Sequence, residues 1–106
     1  MKAFKITNAR LSAGPIGQTS NTFRYPGTTP SISANGISNG MVWAVENTTP
    51  AVLHAYDAGN LHQLYNNQAG SRDQLGAGNK FITPAIVHGK VYVGTTNSVE
   101  VFGLLP

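Results

Sequence analysis

The sequence predicts an all-β fold of short antiparallel strands, and three observations support this fold class. Only 10% of the 106 residues are charged, whereas helical surfaces normally carry many Lys and Glu residues. No window of about 11 residues keeps a helical apolar period without a Gly or Pro. Short apolar runs recur instead between turn-forming pairs such as Asn35-Gly36 and His88-Gly89.

Eight segments are predicted strands, because each is rich in apolar residues and is bounded by turn-forming residues. In chain order they are residues 3–11, 31–33, 41–46, 51–56, 61–65, 85–87, 90–95 and 98–104. The segments Asn35-Gly36, Asn39-Gly40, Ala58-Gly59-Asn60 and His88-Gly89 lie between them. Since Asn and Gly tolerate the positive φ of tight turns, these segments predict hairpins and hence an antiparallel meander.

The chain contains an internal repeat. Thr29-Pro30-Ser31-Ile32 recurs as Thr83-Pro84-Ala85-Ile86, and Gly40-Met41-Val42-Trp43 recurs as Gly89-Lys90-Val91-Tyr92. Ala55-Tyr56 matches Val101-Phe102, and Ala3-Phe4 with Asn8 is a partial third copy. A repeat of about 45 to 50 residues with four short strands is typical of a β-propeller blade.

This repeat divides the chain into three units. Residues 1–26 are predicted to be an N-terminal strand remnant and a connection, and residues 27–79 a complete blade, a four-stranded antiparallel meander. Residues 80–106 are predicted to be an incomplete last blade with strands A, B and C only. The chain therefore holds about two blades, and the ring would be closed by oligomerisation.

The segment from Thr83 to Thr95 resembles the repeat of quinoprotein-like (pyrroloquinoline quinone-like) β-propellers, in which Gly-Lys-Val-Tyr-Val-Gly follows a hydrophobic strand. Ala55-Tyr56-Asp57-Ala58-Gly59-Asn60-Leu61 is similar to the Tyr/Phe-Asp-Ala turn of that family. The resemblance implies that residues 27–105 are the last blades of a larger, secreted or periplasmic bacterial propeller. No signal peptide is predicted at the N-terminus. The sequence therefore does not predict the cellular compartment of this chain.

The resemblance extends to the fold and not to the redox chemistry. Dehydrogenases of that family hold the quinone and a calcium ion, and they commonly place a vicinal-cysteine disulfide against the quinone ring. This chain has no cysteine, and no calcium-binding triad maps onto it. A quinone-dependent oxidoreductase fragment is therefore the third functional hypothesis, and we expect no quinone cofactor.

His54, Asp57 and His62 are the only dense cluster of ligand-type residues, and they are weak candidates for a catalytic or divalent-metal site. On a strand, His54 and Asp57 point to opposite faces because an odd separation changes the side. The favoured interpretation is that Asp57 caps a turn and that the histidines are surface residues. The alternative is a small metal-assisted hydrolase, acting on a phosphoester or similar bond, with its site at a blade or subunit interface.

Seven aromatic residues form a possible carbohydrate platform, but their repeated positions favour packing between sheets. They are Phe4, Trp43, Tyr56, Tyr65, Phe81, Tyr92 and Phe102. We therefore expect Trp43 to be buried.

Composition limits the possible partners. A nucleic-acid-binding protein concentrates its basic residues on one surface, whereas the seven basic residues here are spread along the chain. We therefore expect no nucleic-acid partner. The longest apolar runs are a few residues, so no membrane span is predicted. The leading hypothesis is a non-enzymatic, self-assembling scaffold or binding module without a cofactor.

The predicted partner is another copy of the chain. The last unit lacks strand D, so strand 98–104 would be an exposed apolar edge, and such edges attract another strand. Residues 4–11 are predicted to be a D-type strand that completes the last blade of a neighbour. Because propellers close with about four to eight blades, a dimer, trimer or tetramer is expected, and the trimer is favoured.

Overall fold

The computed structural model describes residues 1–104 and has an all-β fold with no α-helix among them, as predicted. Residues 105 and 106, the end of the predicted last blade, lie outside the described residues. The strands are β1 (Lys2–Ala3), β2 (Ile6–Thr7), β3 (Arg10–Leu11), β4 (Gly17–Gln18), β5 (Ser31–Asn35), β6 (Ser38–Glu46), β7 (Val52–Asp57), β8 (Gln63–Asn66), β9 (Ala85–Val87), β10 (Lys90–Gly94) and β11 (Val99–Phe102). A short 3-10 helix spans Ser71–Asp73.

The strands form four small antiparallel sheets. Strands β5-β6-β7-β8 make a four-stranded meander, here called sheet I, and β9-β10-β11 make the three-stranded sheet II. In the N-terminal arm (residues 1–24), β1 pairs with β4 and β2 pairs with β3. Within residues 1–104 these sheets do not close into a barrel or a propeller ring. None of the helical structure in that range is long and apolar enough to cross a bilayer.

Two of the predicted turns set the register of sheets I and II. Gly36 has a φ of 60° and occupies the first central position of the β5–β6 turn, where a residue without Cβ is favoured. The β9–β10 turn is made by His88 and Gly89, with φ values of 48° and 72°. Both φ values are positive. A two-residue turn of this kind matches the right-handed twist of the two strands that it joins.

The internal repeat of the sequence is also a repeat of strand pairing. The residue that follows the Thr-Pro pair lies opposite the repeated aromatic residue in both sheets, and the next strand pairs in the same register. Ser31 lies opposite Trp43 and Ala85 opposite Tyr92, while Trp43 lies opposite Ala55 and Tyr92 opposite Val101.

Sheet I is covered on both faces, which explains why nearly all of β7 is buried. Val42, Ala44 and Tyr56 belong to a cluster that includes residues of the N-terminal arm. Val45 and Leu53 belong to a cluster that includes residues of sheet II. Because neighbouring strand residues point to opposite faces, these two clusters lie on opposite sides of sheet I. The layer order is therefore arm, sheet I, sheet II.

The prediction of one long strand over residues 3–11 is wrong. Asn8 and Ala9 adopt φ values of 50° and 61° and reverse the chain, so Ile6–Thr7 and Arg10–Leu11 form a hairpin. The Ser12 N–H donates to the Lys5 carbonyl at 2.8 Å and extends this pairing. The continuous D-type strand expected at residues 4–11 is not present in this chain.

The N-terminal arm is anchored to sheet I of its own chain. Met1, Ala3 and Phe23 pack against the buried cluster on that face. The Met1 amino group donates to Thr19 Oγ1 at 2.7 Å. A Cβ at Gly17 would collide with the backbone of Asn60, so only glycine allows the arm to approach this closely.

Candidate functional site

His54 lies on β7 and is buried against the N-terminal arm. Its Nδ1 is 2.8 Å from Gln63 Oε1, and its Nε2 is 2.8 Å from Glu46 Oε1. The imidazole also stacks on the Tyr56 ring, with 5.5 Å between ring centroids. Both ring nitrogens are thus engaged by side chains, and the histidine is a buried residue rather than the surface residue we expected.

Asp57 and His62 have separate local contacts. Asp57 Oδ1 accepts N–H bonds from Gly59 at 2.8 Å and Asn60 at 3.2 Å, so this side chain caps the turn after β7. His62 is exposed, and its backbone N–H donates to Asn60 Oδ1 at 2.7 Å. Over residues 1–104, no group of three or more His, Asp or Glu side chains is arranged to hold a metal ion.

A partly buried polar network connects sheet I to the arm, and the sequence did not predict it. The Tyr56 hydroxyl donates to Asn21 Oδ1 at 2.6 Å, and Asn21 Nδ2 donates to Glu46 Oε1 at 2.6 Å. The same Glu46 oxygen contacts His54. Burial raises the pKa of Tyr56 to about 12. Asn21 lies in a polar connection with no periodic pattern, so no signal in the sequence indicated its role.

An open cleft of about 720 Å³ lies between sheets I and II. Trp43 and Tyr65 line it from sheet I, and Val91 and Phe102 line it from sheet II. Burial and the adjacent Asp73 carboxylate raise the pKa of Tyr65 to about 12. The hydrogen bond from Arg72 to Asp73 lowers the pKa of that carboxyl group. The cleft is mainly aromatic and aliphatic, with charged groups beside it.

The prediction that the seven aromatic residues form a buried core is correct for Tyr56 and wrong for Phe4 and Phe81, and the other four are partly buried. Tyr56 is fully buried, whereas Phe4 and Phe81 are exposed. Trp43 is half-buried: its ring packs against the cluster between the sheets, and its Nε1 donates to Ser33 Oγ at 2.9 Å. The cleft leaves part of the Trp43 indole uncovered, because sheet II does not close over that end of sheet I.

The outer face of sheet II is apolar and open. Its apolar residues share one side of the sheet by strand register: Ala85, Val87, Tyr92, Val99 and Val101. Lys90, which lies opposite Val87, is on the same side. Val87, Val99 and Val101 are 47%, 66% and 51% exposed. Ile82 lies near one end of this face, where a Cβ at Gly94 would be 3.5 Å from its Cδ1.

Strand β11 is at the edge of sheet II. It pairs with β10 on one side, and within the described part of the chain no strand pairs with its other side. Its outward-facing side chains are Val99 and Val101. Apolar faces and open strand edges of this kind mark sites of association between proteins.

Comparisons with protein-family models, with curated proteins and with solved structures found no match for this chain.

Proposed function

We propose that this chain is a non-enzymatic, self-associating module in which sheets I and II each act as one propeller blade. The observation that carries the proposal is the outer face of sheet II. The corresponding face of sheet I, which carries Trp43, packs against sheet II, whereas within residues 1–104 no sheet packs on the face that carries Tyr92. The second copy of the repeat, sheet II, therefore exposes an apolar face on which another layer can pack.

The energetics favour covering that face. Fully burying a valine stabilises a protein by about 1.5 to 3 kcal/mol relative to leaving it exposed. Val87, Val99 and Val101 are each about half to two-thirds exposed, so a layer packed on them would recover several kcal/mol. A second copy of the chain is the proposed layer, because the packing of sheet II on sheet I within the chain shows that a layer of this chain can cover such an apolar face.

The proposed assembly is a closed, head-to-tail ring. Strands β5 and β9, the first strands of sheets I and II, lie next to each other. The Ser31 hydroxyl donates to the Pro84 carbonyl between them. This side-by-side placement suits blades arranged around an axis, and such rings contain about four to eight blades. Two sheets per chain give a ring of two to four copies, and three copies are favoured.

Among residues 1–104, no specific contact favours either of the two enzymatic alternatives. His54, Asp57 and His62 bond to different neighbours, so the hydrolase hypothesis gains no site from them. The quinone hypothesis rests on the family resemblance alone.

Sedimentation velocity over a dilution series tests the proposal. The wild-type chain should associate, and Val99→Lys/Val101→Lys should weaken the association by at least about tenfold, equivalent to about 1.4 kcal/mol. The matched control is Ile37→Lys, because Ile37 is fully exposed at the β5–β6 turn and lies outside both sheet faces. A wild-type chain that stays monomeric at every concentration would overturn the proposal.

A further inference from the structure

We infer that the cleft between sheets I and II binds a small organic cation with a flat aromatic body. This site lies on the inner side of sheet II, whereas the proposed self-association uses the outer face. The inference therefore goes beyond the proposed function and does not depend on it. It is carried by aromatic side chains on both walls of the cleft and by the carboxylates beside them.

An aromatic row lines the cleft from sheet I. Trp43 lies opposite Ala55, and Ala55 lies opposite Tyr65, so the three side chains share one side of the sheet. Trp43 and Tyr65 both line the cleft and are only partly buried. Part of each aromatic ring is therefore open to a ligand.

Sheet II forms the opposite wall. Phe102 lies opposite Val91, and Val91 lies opposite Ile86, so these side chains share the side of sheet II that packs on sheet I. Phe102 is also partly buried and lines the cleft. Because aromatic rings line both walls, a flat aromatic molecule can contact them by stacked or edge-to-face packing.

The cleft has the size and composition of a small-molecule site. Its volume of about 720 Å³ lies within the range of about 300 to 1,000 Å³ that is typical of ligand pockets. Such pockets are lined mainly by hydrophobic and aromatic side chains, and a few polar groups orient the ligand. The lining of this cleft follows that pattern, since charged side chains are a minority in it.

The cleft carries a charge opposite in sign to that of the whole chain. The charged residues that line it are Arg72, Asp73 and Glu100, one cation and two carboxylates, which give a formal charge of −1. The chain carries +3. Arg72 pairs with Asp73 at 2.6 Å, whereas Glu100 forms no salt bridge among residues 1–104. Glu100 is therefore the carboxylate left to pair with a ligand.

Glu100 lies beside the aromatic lining. It is opposite Val93, which is fully buried between the sheets, so its side chain shares the inner side of sheet II with Phe102. Lys90, near Gly103, belongs to the outer side of the sheet. The strand register thus places a carboxylate, and not this lysine, on the wall that faces the aromatic row of sheet I.

These features together favour a cation. The faces of Trp and Tyr rings attract organic cations, and Trp does so most strongly. Glu100 attracts the same charge and repels an anion. A sugar would need more hydrogen-bonding groups than this mainly apolar lining offers. The ligand class that fits both the rings and the carboxylate is an aromatic organic cation.

Isothermal titration calorimetry with two aromatic ions of opposite charge tests this ligand class. The probes are N-methylquinolinium, a cation, and naphthalenesulfonate, an anion, and each contains two fused rings. The cation should bind at least about tenfold more tightly than the anion. Since the net charge of the chain favours the anion, such a preference has to come from the local site. Equal affinities, tighter binding of the anion or binding of neither probe would overturn the inference.

Trp43 reports where the cation binds. It is the only tryptophan in the chain, and its Nε1–H donates to Ser33 Oγ, which also belongs to a residue that lines the cleft. The indole N–H signal of Trp43 in an NMR spectrum should shift over the concentrations at which calorimetry detects binding. Binding that leaves this signal unchanged would place the cation elsewhere and refute the inference.

Glu100→Gln tests the role of the carboxylate with little effect on the fold. The amide oxygen can still accept the hydrogen bond that Glu100 Oε1 receives from the Ser98 hydroxyl at 2.9 Å. This variant should weaken binding of the cation by at least about threefold, because a partly exposed ion pair is lost. It should not weaken binding of the anion.

The matched control is Ile37→Lys, which raises the net charge of the chain by one unit, as Glu100→Gln does. Ile37 is fully exposed and does not line the cleft. This variant should bind the cation like the wild type. If both variants weaken cation binding equally, the effect comes from the overall charge, and the assignment of Glu100 to the site is wrong.

Discussion

Trp43 and Tyr92 hold the same position in the two sheets but have different surroundings. Each lies opposite the residue that follows a Thr-Pro pair, Ser31 for Trp43 and Ala85 for Tyr92. Trp43 faces sheet II and packs against the cluster between the sheets, while Tyr92 lies on the open outer face. An equivalent position thus packs against a second sheet in one copy of the repeat but not in the other, although both side chains are partly exposed.

This difference predicts opposite effects for two alanine substitutions. Trp43→Ala should lower the free energy of unfolding by about 2 to 3 kcal/mol, below the usual range of about 3 to 5 kcal/mol because the ring is only half-buried. Tyr92→Ala should cost the monomer about 1 kcal/mol or less but weaken self-association. Denaturation at low protein concentration and sedimentation at high concentration separate the two effects. The reverse pattern would show that the face carrying Tyr92 is not the association surface.

The polar network between the arm and sheet I should matter for stability. Asn21→Ala leaves the Tyr56 hydroxyl and one Glu46 contact without a partner, so it should destabilise the protein by about 1 to 3 kcal/mol. Gln68→Ala is the control, because this residue is exposed. Urea denaturation of both variants provides the measurement. Equal stability would mean that the arm is not anchored through Asn21.

Stability should decrease at alkaline pH as the buried tyrosines ionise. The pKa of Tyr56 is raised from about 10 to about 12, so its contribution is fully present below pH 10 and is lost as the pH rises towards 12. Tyr56→Phe should therefore flatten the decline in unfolding free energy between these pH values. Tyr65, whose pKa is also raised to about 12, should leave a residual slope. An unchanged slope in Tyr56→Phe would contradict this assignment.

Salt should strengthen the association. Each copy of the chain carries a formal net charge of +3, and Lys90 lies on the outer face of sheet II. Two copies therefore repel each other, and raising the ionic strength towards 1 M shortens the screening length to about 3 Å. The dissociation constant should fall as salt is added. Weakening by salt would point instead to docking against the acidic groups of the cleft, Asp73 and Glu100.

The turn-forming residues and the internal repeat were sufficient to predict most of the strands and hairpins of sheets I and II. The pairs Asn35-Gly36 and His88-Gly89 mark their hairpins because such residues accept positive φ values. The Asn8-Ala9 turn was missed since Ala carries no turn signal and residues 3–11 read as one apolar strand. The half-burial of Trp43 could not be predicted either, because it depends on how far the two sheets separate.

The site residues were predicted less well, for a related reason. Odd spacing correctly indicated that His54 and Asp57 lie on different faces of a strand. The partners of His54 are Glu46 and Gln63, which neighbouring strands bring close. Asn21 reaches the same network from a loop that only the tertiary fold positions.

Native mass spectrometry of the wild-type chain is the decisive measurement of self-association. We expect a closed species of two to four copies, with three copies favoured, and no series of ever larger assemblies. A chain that remains a folded monomer over the accessible concentrations would contradict it, since the outer face of sheet II would then be stable in water without a partner.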